Sequence, residues 1–262
     1  MKATGLFSES KKTANGDKIG LEWPELTTGI LLKRYKRFMV DVRLSDGKTV
    51  TAYCPNTGSM LGCCEPGRPV YLSEHDKPGR RLRFTFEMIQ MPGSLVGVNT
   101  SIPNKLIKKA IEDTEIEALS GYKNILTEVR YGQNSRIDIL LEDDENNRCF
   151  IEIKNCTLVK NHIAFFPDAV TSRGLKHLKE LQRLVNHKTR CIMFYLIQRT
   201  DARIFRPADH IDPAYGKALR SAARNGVKIM VYDVSIDLQK IRLNKPVPYE
   251  IVESGDLSIY KI

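Results

Sequence analysis

The 262-residue chain is long enough for one large or two modest domains, each with a real core. Its 42% hydrophobic and 27% charged content is globular and excludes general disorder. No apolar run reaches the ~18 residues of a membrane span and residues 1–17 hold no apolar core, so neither an anchor nor a secretory signal is expected, and the cytoplasm is the expected compartment. Forty-one Lys and Arg against 31 Asp and Glu give a net charge of +10, which suits a polyanionic partner: nucleic acid, an anionic membrane or an acidic protein.

Residues 1–23 are polar with little periodicity and read as an N-terminal extension or a weak edge strand. From 24 to 99, short apolar stretches alternate with turn signals: Ser45-Asp46-Gly47, Pro66-Gly67, Lys77-Pro78-Gly79 and Pro92-Gly93. Strands are expected at 38–44, 49–54, 69–72, 81–91 and 94–98. Five short strands in so small a segment predict a barrel of the OB-fold kind. Lys33, Arg34, Tyr35, Lys36 and Arg37, with Phe38 beside them, interleave cations and aromatic rings, a pattern that grips phosphates and stacks bases. The same charges would equally guard an exposed strand edge. The six cysteines include no C-x-x-C pair. Cys54, Cys63 and Cys64, even with His75 as a fourth ligand, match no zinc spacing, so buried free thiols are expected.

The pattern changes near 99–104, where the second domain, 100–262, begins. Residues 104–116 have helical spacing, with Asn104 as N-cap. Strands follow at 125–131, 136–142 and 148–159, the last two joined by the polar turn 143–147. A long amphipathic helix is expected over 168–187, then a buried strand over 191–199, a helix over 213–225 stopped by Gly226, and a last strand over 227–234. This order, αβββαβαβ, predicts a mixed sheet with helices packed on it. The whole chain is therefore α+β: a β-barrel followed by a mixed α/β domain.

The chemistry concentrates on the 136–154 hairpin. Glu152 and Lys154 alternate with Ile151 and Ile153, so they share one strand face, where burial costs several kcal/mol unless they are paired or metal-bound. The hairpin brings Asp138 beside Glu152. Asp138 and Glu152 together suit Mg²⁺ or Mn²⁺, completed by the Ile153 carbonyl, and Lys154 would orient the metal-bound water or stabilise developing negative charge. That is the logic of the PD-(D/E)xK nuclease core, although Ile137 replaces the proline before Asp138. A buried salt bridge of Lys154 with either carboxylate accounts for the same residues without catalysis. Glu112, Glu115 or Glu117 could add a carboxylate, and the facing of Glu128 is left open. On the long helix, Arg173, Lys176 and His177 follow an i, i+3, i+4 spacing that places them on one face, to grip a phosphate or simply to meet solvent.

The segments LLKRYKRFMVDV, CPNTGSMLGC, VNTSIPNKLI, EVRYG, SRIDILL, CFIEIKN, FFPDAVTSRGLKHLKEL and RPADHIDPAYGKAL resemble the sugar fermentation stimulation protein (SfsA) family, over about 28–247. The resemblance implies an N-terminal OB-fold, a C-terminal PD-(D/E)xK nuclease-like domain, and DNA binding linked to sugar (maltose) metabolism. It carries the nuclease positions onto Asp138, Glu152 and Lys154. Asn56 and Gly58 of the CPNTGSM segment predict a tight turn whose amides can meet a phosphate or the other domain, and Asn99-Thr100 sits where it can fix domain orientation. The first reading is a metal-dependent nuclease that binds DNA nonspecifically. The alternative is a non-catalytic DNA-binding regulatory protein on the same fold, since a fold does not prove cleavage. A sugar-sensing module or other hydrolase ranks last.

Overall fold

The computed structural model describes residues 20–76, 79, 81–132 and 135–251. The extension up to residue 19 and most of the turn at 77–79 lie outside the described residues. Among them, no helix is long and apolar enough to cross a membrane.

The first structural unit is a sheet of β2 (Leu26–Tyr35), β3 (Met39–Leu44), β4 (Thr49–Tyr53), β5 (Pro69–Glu74), β6 (Phe84–Met91) and β7 (Ser94–Gly97), while β1 (Leu21–Glu22) joins a different sheet. Its order is β4-β3-β2-β5-β6-β7, and β4 also pairs with β6, closing five strands into the OB barrel. Leu31, Val40, Val42, Val70, Leu72, Phe86 and Ile89 fill the interior. β2 escapes the alternation rule because only Gly29 and Leu31 are buried along it. Gly29 is dictated by space: a Cβ there would lie 2.4 Å from Val42 Cγ1. The turn 36–38 joins β2 to β3 with Lys36 and Arg37 at φ +49° and +63°, a region usually left to Gly or Asn.

The second unit opens with α1 (Ile102–Glu112), followed by β8 (Asn124–Tyr131), β9 (Ser135–Glu142), β10 (Arg148–Cys156), β11 (Leu158–Lys160) and β12 (Ile163–Phe166). It continues through α2 (Ser172–Leu184), β13 (Thr189–Ile197), β14 (Ile204–Pro207), α3 (Pro213–Arg224), β15 (Lys228–Ile236) and β16 (Lys240–Pro246). The main sheet runs β1-β16-β15-β13-β10-β9-β8, with β10, β13 and β15 parallel. The edge strand β1 thus extends the second unit's sheet, through Leu21↔Ile241. A small sheet, β11-β12-β14, lies apart. Its strands and β16 add to the expected αβββαβαβ order; at three or four residues, β11, β12 and β14 are too short to show a period.

Both sheet faces are covered. On one, Leu106, Ile107 and Ala110 of α1 pack with Ile151 and Ile153; on the other, Leu178 and Leu181 of α2 and Leu219 of α3 pack with Phe150 and Met193. The alternation along β10 therefore turns Glu152 to the α2 side. Both helices differ from expectation at their starts. α1 begins at Ile102, so Asn104 lies inside its first turn rather than capping it. α2 begins at Ser172, with Thr171 as N-cap accepting from the Gly174 amide at 3.0 Å, and 168–171 stay outside the helix.

The two units are latched together. The Met60 amide donates to Asp168 Oδ2 at 2.8 Å and Ser59 Oγ donates to the Asp168 carbonyl at 2.5 Å. Gly97 N donates to the Gln198 carbonyl at 2.8 Å, and Thr100 Oγ1 to the Pro55 carbonyl at 3.0 Å. Asn56 Oδ1 accepts from Gly58 N at 2.9 Å, the expected tight turn, and its following amide meets the other domain. Removing the Asp168 carboxylate leaves a partly buried amide without a partner. We expect Asp168→Ala to destabilise the protein by about 1–3 kcal/mol, read as a lower urea midpoint relative to wild type.

Candidate active site

A cavity of about 440 Å³ lies between the two units. Its floor is the end of the β9–β10 hairpin. The ladder pairs Ile151 with Ile139 and then opens, so Glu152 and Asp138 are not joined by backbone. On the other side of β9, Glu128 is likewise skipped in the register and takes φ +55°. Ile137 packs in the α2-side core and Ile139 in the α1-side core, although two residues apart on a regular strand share a face. The strand is therefore wrung at Asp138, whose carboxylate takes over the missing hydrogen bond: Oδ2 accepts from the Ile153 amide at 2.7 Å and Oδ1 from Asn104 Nδ2 at 2.8 Å.

Glu152 is 2% exposed. Its Oε1 accepts from Lys154 Nζ at 2.5 Å and from His177 Nδ1. Arg173 Nε donates to His177 Nε2 at 3.5 Å. Arginine only donates, so His177 Nε2 accepts and its proton sits on Nδ1, aimed at Glu152. Glu152 Oε2 is buried with no hydrogen-bond partner. Burial opposes ionisation of Glu152, but the hydrogen bonds from His177 and Lys154 and the charge of Lys154 outweigh it and hold its pKa below the usual carboxylate range. Asp138 behaves oppositely. Burial, then the charge of Glu152, push its pKa up to about 6, against the lowering effect of the Ile153 amide, Lys154 and Asn104. The environment thus pushes the two carboxylates' pKa values apart.

Asp138, Glu152 and Lys154 thus converge as expected, and Arg37 and Arg173 line the same cavity. The other expected residues do not. Arg34 is a clamp: its guanidinium donates to the carbonyls of Asn56 and Gly58 at 2.8 Å each and of Ser59 at 3.3 Å, shaping the turn that meets Asp168. Tyr35 donates to Asp41 at 3.0 Å, and Lys33 pairs with Asp41 at 3.5 Å with its ammonium 5.3 Å from the Tyr35 ring centre. Lys36 is exposed beside them, outside the cavity lining. Lys176 borders a separate cleft with Tyr131 and Glu180, and His177 is 3% exposed, so it supports Glu152 rather than gripping a phosphate from solvent. Glu112, Glu115 and Glu117 do not line the cavity either; α1 presents its first turn there, and Glu112 lies about 12 Å further along the axis. Glu128 is exposed and outside the lining. All six cysteines are free, five of them buried.

The donor set fits a divalent cation. Glu152 Oε2 lacks a partner, each Asp138 oxygen keeps a second lone pair, and the ligands are hard oxygens. Asn104 and His177 are the partners that orient these carboxylates.

The architecture is an OB barrel joined to a nuclease-type α/β domain. Family models match on both units: the SfsA N-terminal OB domain over residues 32–98 and the sugar fermentation stimulation protein RE domain over residues 101–240. The chain is 48% identical over 223 residues to a sugar fermentation stimulation protein homolog of Geobacter sulfurreducens, covering 85% of this chain and 95% of that protein. It is 49% identical over 224 residues to the homolog of Geobacter metallireducens, covering 85% and 96%. A solved structure of Pyrococcus furiosus SfsA in complex with Ca²⁺ matches with a TM-score of 0.81 at 28% identity, over 90% of this chain and 100% of that one. The chain belongs to the sugar fermentation stimulation protein family.

The electrostatics make a direct prediction. In the metal-free protein the Asp138 carboxyl should titrate with a midpoint near 6, read by its carboxyl ¹³C shift, and Glu152→Gln should lower that midpoint by removing a neighbouring charge. A raised folded-state pKa favours folding most below the ordinary value of 3.8, and that contribution is lost as pH rises through about 6.

Proposed function

We propose that the protein is a metal-dependent nuclease that binds DNA without sequence preference and cuts it in the cavity between its domains. The observation that carries this reading is the pairing of Asp138 with Glu152 across an opened ladder, with one buried carboxylate oxygen left unpartnered and Lys154 alongside. A relative whose structure is in complex with Ca²⁺ supports a divalent ion, and Mg²⁺ or Mn²⁺ is the working ion we propose. Held by Glu152, Asp138 and the Ile153 carbonyl, such an ion would polarise a phosphoryl oxygen and lower the pKa of a water. Lys154 Nζ, positioned by Glu152, donates to a non-bridging phosphate oxygen where charge develops. Arg173 of α2 and Arg37 of the barrel both line the cavity and hold flanking phosphates. His177 keeps Glu152 in place from behind. With no groove-reading helix pair among the described residues, phosphate contact dominates and affinity falls with salt.

A second reading, binding without cleavage, has one observation behind it. Among the described residues no three His, Cys, Asp or Glu side chains converge as a metal cluster, so the cation would rest on two carboxylates and a carbonyl.

Labelled DNA incubated with Mn²⁺ or Mg²⁺ separates the two. We expect metal-dependent cleavage by wild type and none by Glu152→Ala. Lys154→Ala should lose about 10²–10³ in kcat while its DNA affinity changes little. Tight binding with no cleavage under any metal would leave the binding-only reading in place.

A further inference from the structure

We infer that the cavity accepts a single nucleic-acid strand and excludes an intact duplex, an inference that rests on the nuclease reading above. Two independent features point to it. The first is the wall facing the carboxylates. Asp138, Glu152 and Lys154 form one side, and Arg37 with the Asn56–Gly58 turn of the barrel forms the other. That wall is fixed in place. Asp168 accepts from the Met60 amide at 2.8 Å, and a Cβ on Gly58 would lie 3.0 Å from Asp168 Oδ1, so turn and latch touch with no gap between them. The partly open cavity of about 440 Å³ falls within the ~300–1,000 Å³ of small-molecule pockets, the scale of a nucleotide. A duplex carries its second backbone across a groove roughly 12 Å wide, and that strand would have to pass through the barrel wall before the first reached Glu152.

The second feature is the path leading out. Arg37 borders both the cavity and an open groove on the barrel lined by Lys33, Tyr35, Lys36 and Leu61. At the end of the same turn Phe38 stands 44% exposed. Tyr35 is tethered to Asp41 and crowded by Lys33, so Phe38 is the ring on this turn that is open to stacking. An aromatic face binds bases that have left the helical stack, and it offers little to paired ones. A basic groove that shares Arg37 with the cavity, with an exposed ring next along the chain outside its lining, suits unpaired nucleotides.

The test is binding, so that it stands apart from cleavage. A fluorescein-labelled oligonucleotide and its duplex are titrated with wild type and Phe38→Ala in Ca²⁺, with anisotropy as the readout. We expect the single strand to bind at least about tenfold more tightly than the duplex, and Phe38→Ala to weaken single-strand binding about fivefold or more with duplex affinity unchanged. Equal or tighter duplex binding, or an equal loss on both substrates in Phe38→Ala, overturns the inference while leaving the nuclease reading intact. Single-strand preference without cleavage in Mg²⁺ or Mn²⁺ sustains the inference and sinks the nuclease. Binding to neither substrate overturns both.

Discussion

The structure turns on one costly arrangement, a glutamate carboxylate held inside a folded domain beside a second carboxylate. An isolated buried charge of this kind costs several kcal/mol. Lys154 and His177 both donate to Glu152 Oε1, and Arg173 fixes the histidine from its far side. Asp138 is kept close by two donors, the Ile153 amide and Asn104. The β9–β10 ladder opens at this point, and its freed amide becomes Asp138's partner, so the sheet itself supplies part of the compensation. What stays unsatisfied is Glu152 Oε2, at the place where a cation would bind.

The barrel is part of this site as well as its neighbour. Arg34 looks like a surface cation in the sequence, yet it gathers three carbonyls of the Asn56–Ser59 turn, and that turn presents Met60 N to Asp168. Asp168 lies between the small sheet and α2, the helix that carries His177 and Arg173. One chain of contacts therefore runs from the barrel's basic strand to the carboxylate-supporting helix. The cavity wall opposite Glu152 follows from that docking.

Much of this was legible in the residues. Asp138, Glu152 and Lys154 stood out because charges interrupted β-branched runs, and strand alternation correctly put Glu152 and Ile153 on opposite faces. The barrel showed through its turn signals. What could not be read were the partners of each polar group. Asn104 carried every mark of a helix cap, but the helix starts two residues earlier and its amide serves Asp138. Lys176 and His177 differ by one position, which is 100° around a helix, so at the edge of the apolar stripe one faces solvent and the other Glu152. Periodicity names the stripe and leaves its edges undecided. Tyr131 went unnoticed too: burial, then the charges of Glu152 and Glu180, push its pKa far up, and only the fold brings those groups together.

The central claim is that Asp138 and Glu152 form a cation site. Calorimetric titration of Ca²⁺ and of Mn²⁺ into the full chain near neutral pH, beside Glu152→Gln, tests it most directly. The account predicts saturable binding to wild type that disappears in Glu152→Gln while the variant stays folded by circular dichroism. Absence of binding to wild type, or binding that survives in the variant, would contradict it.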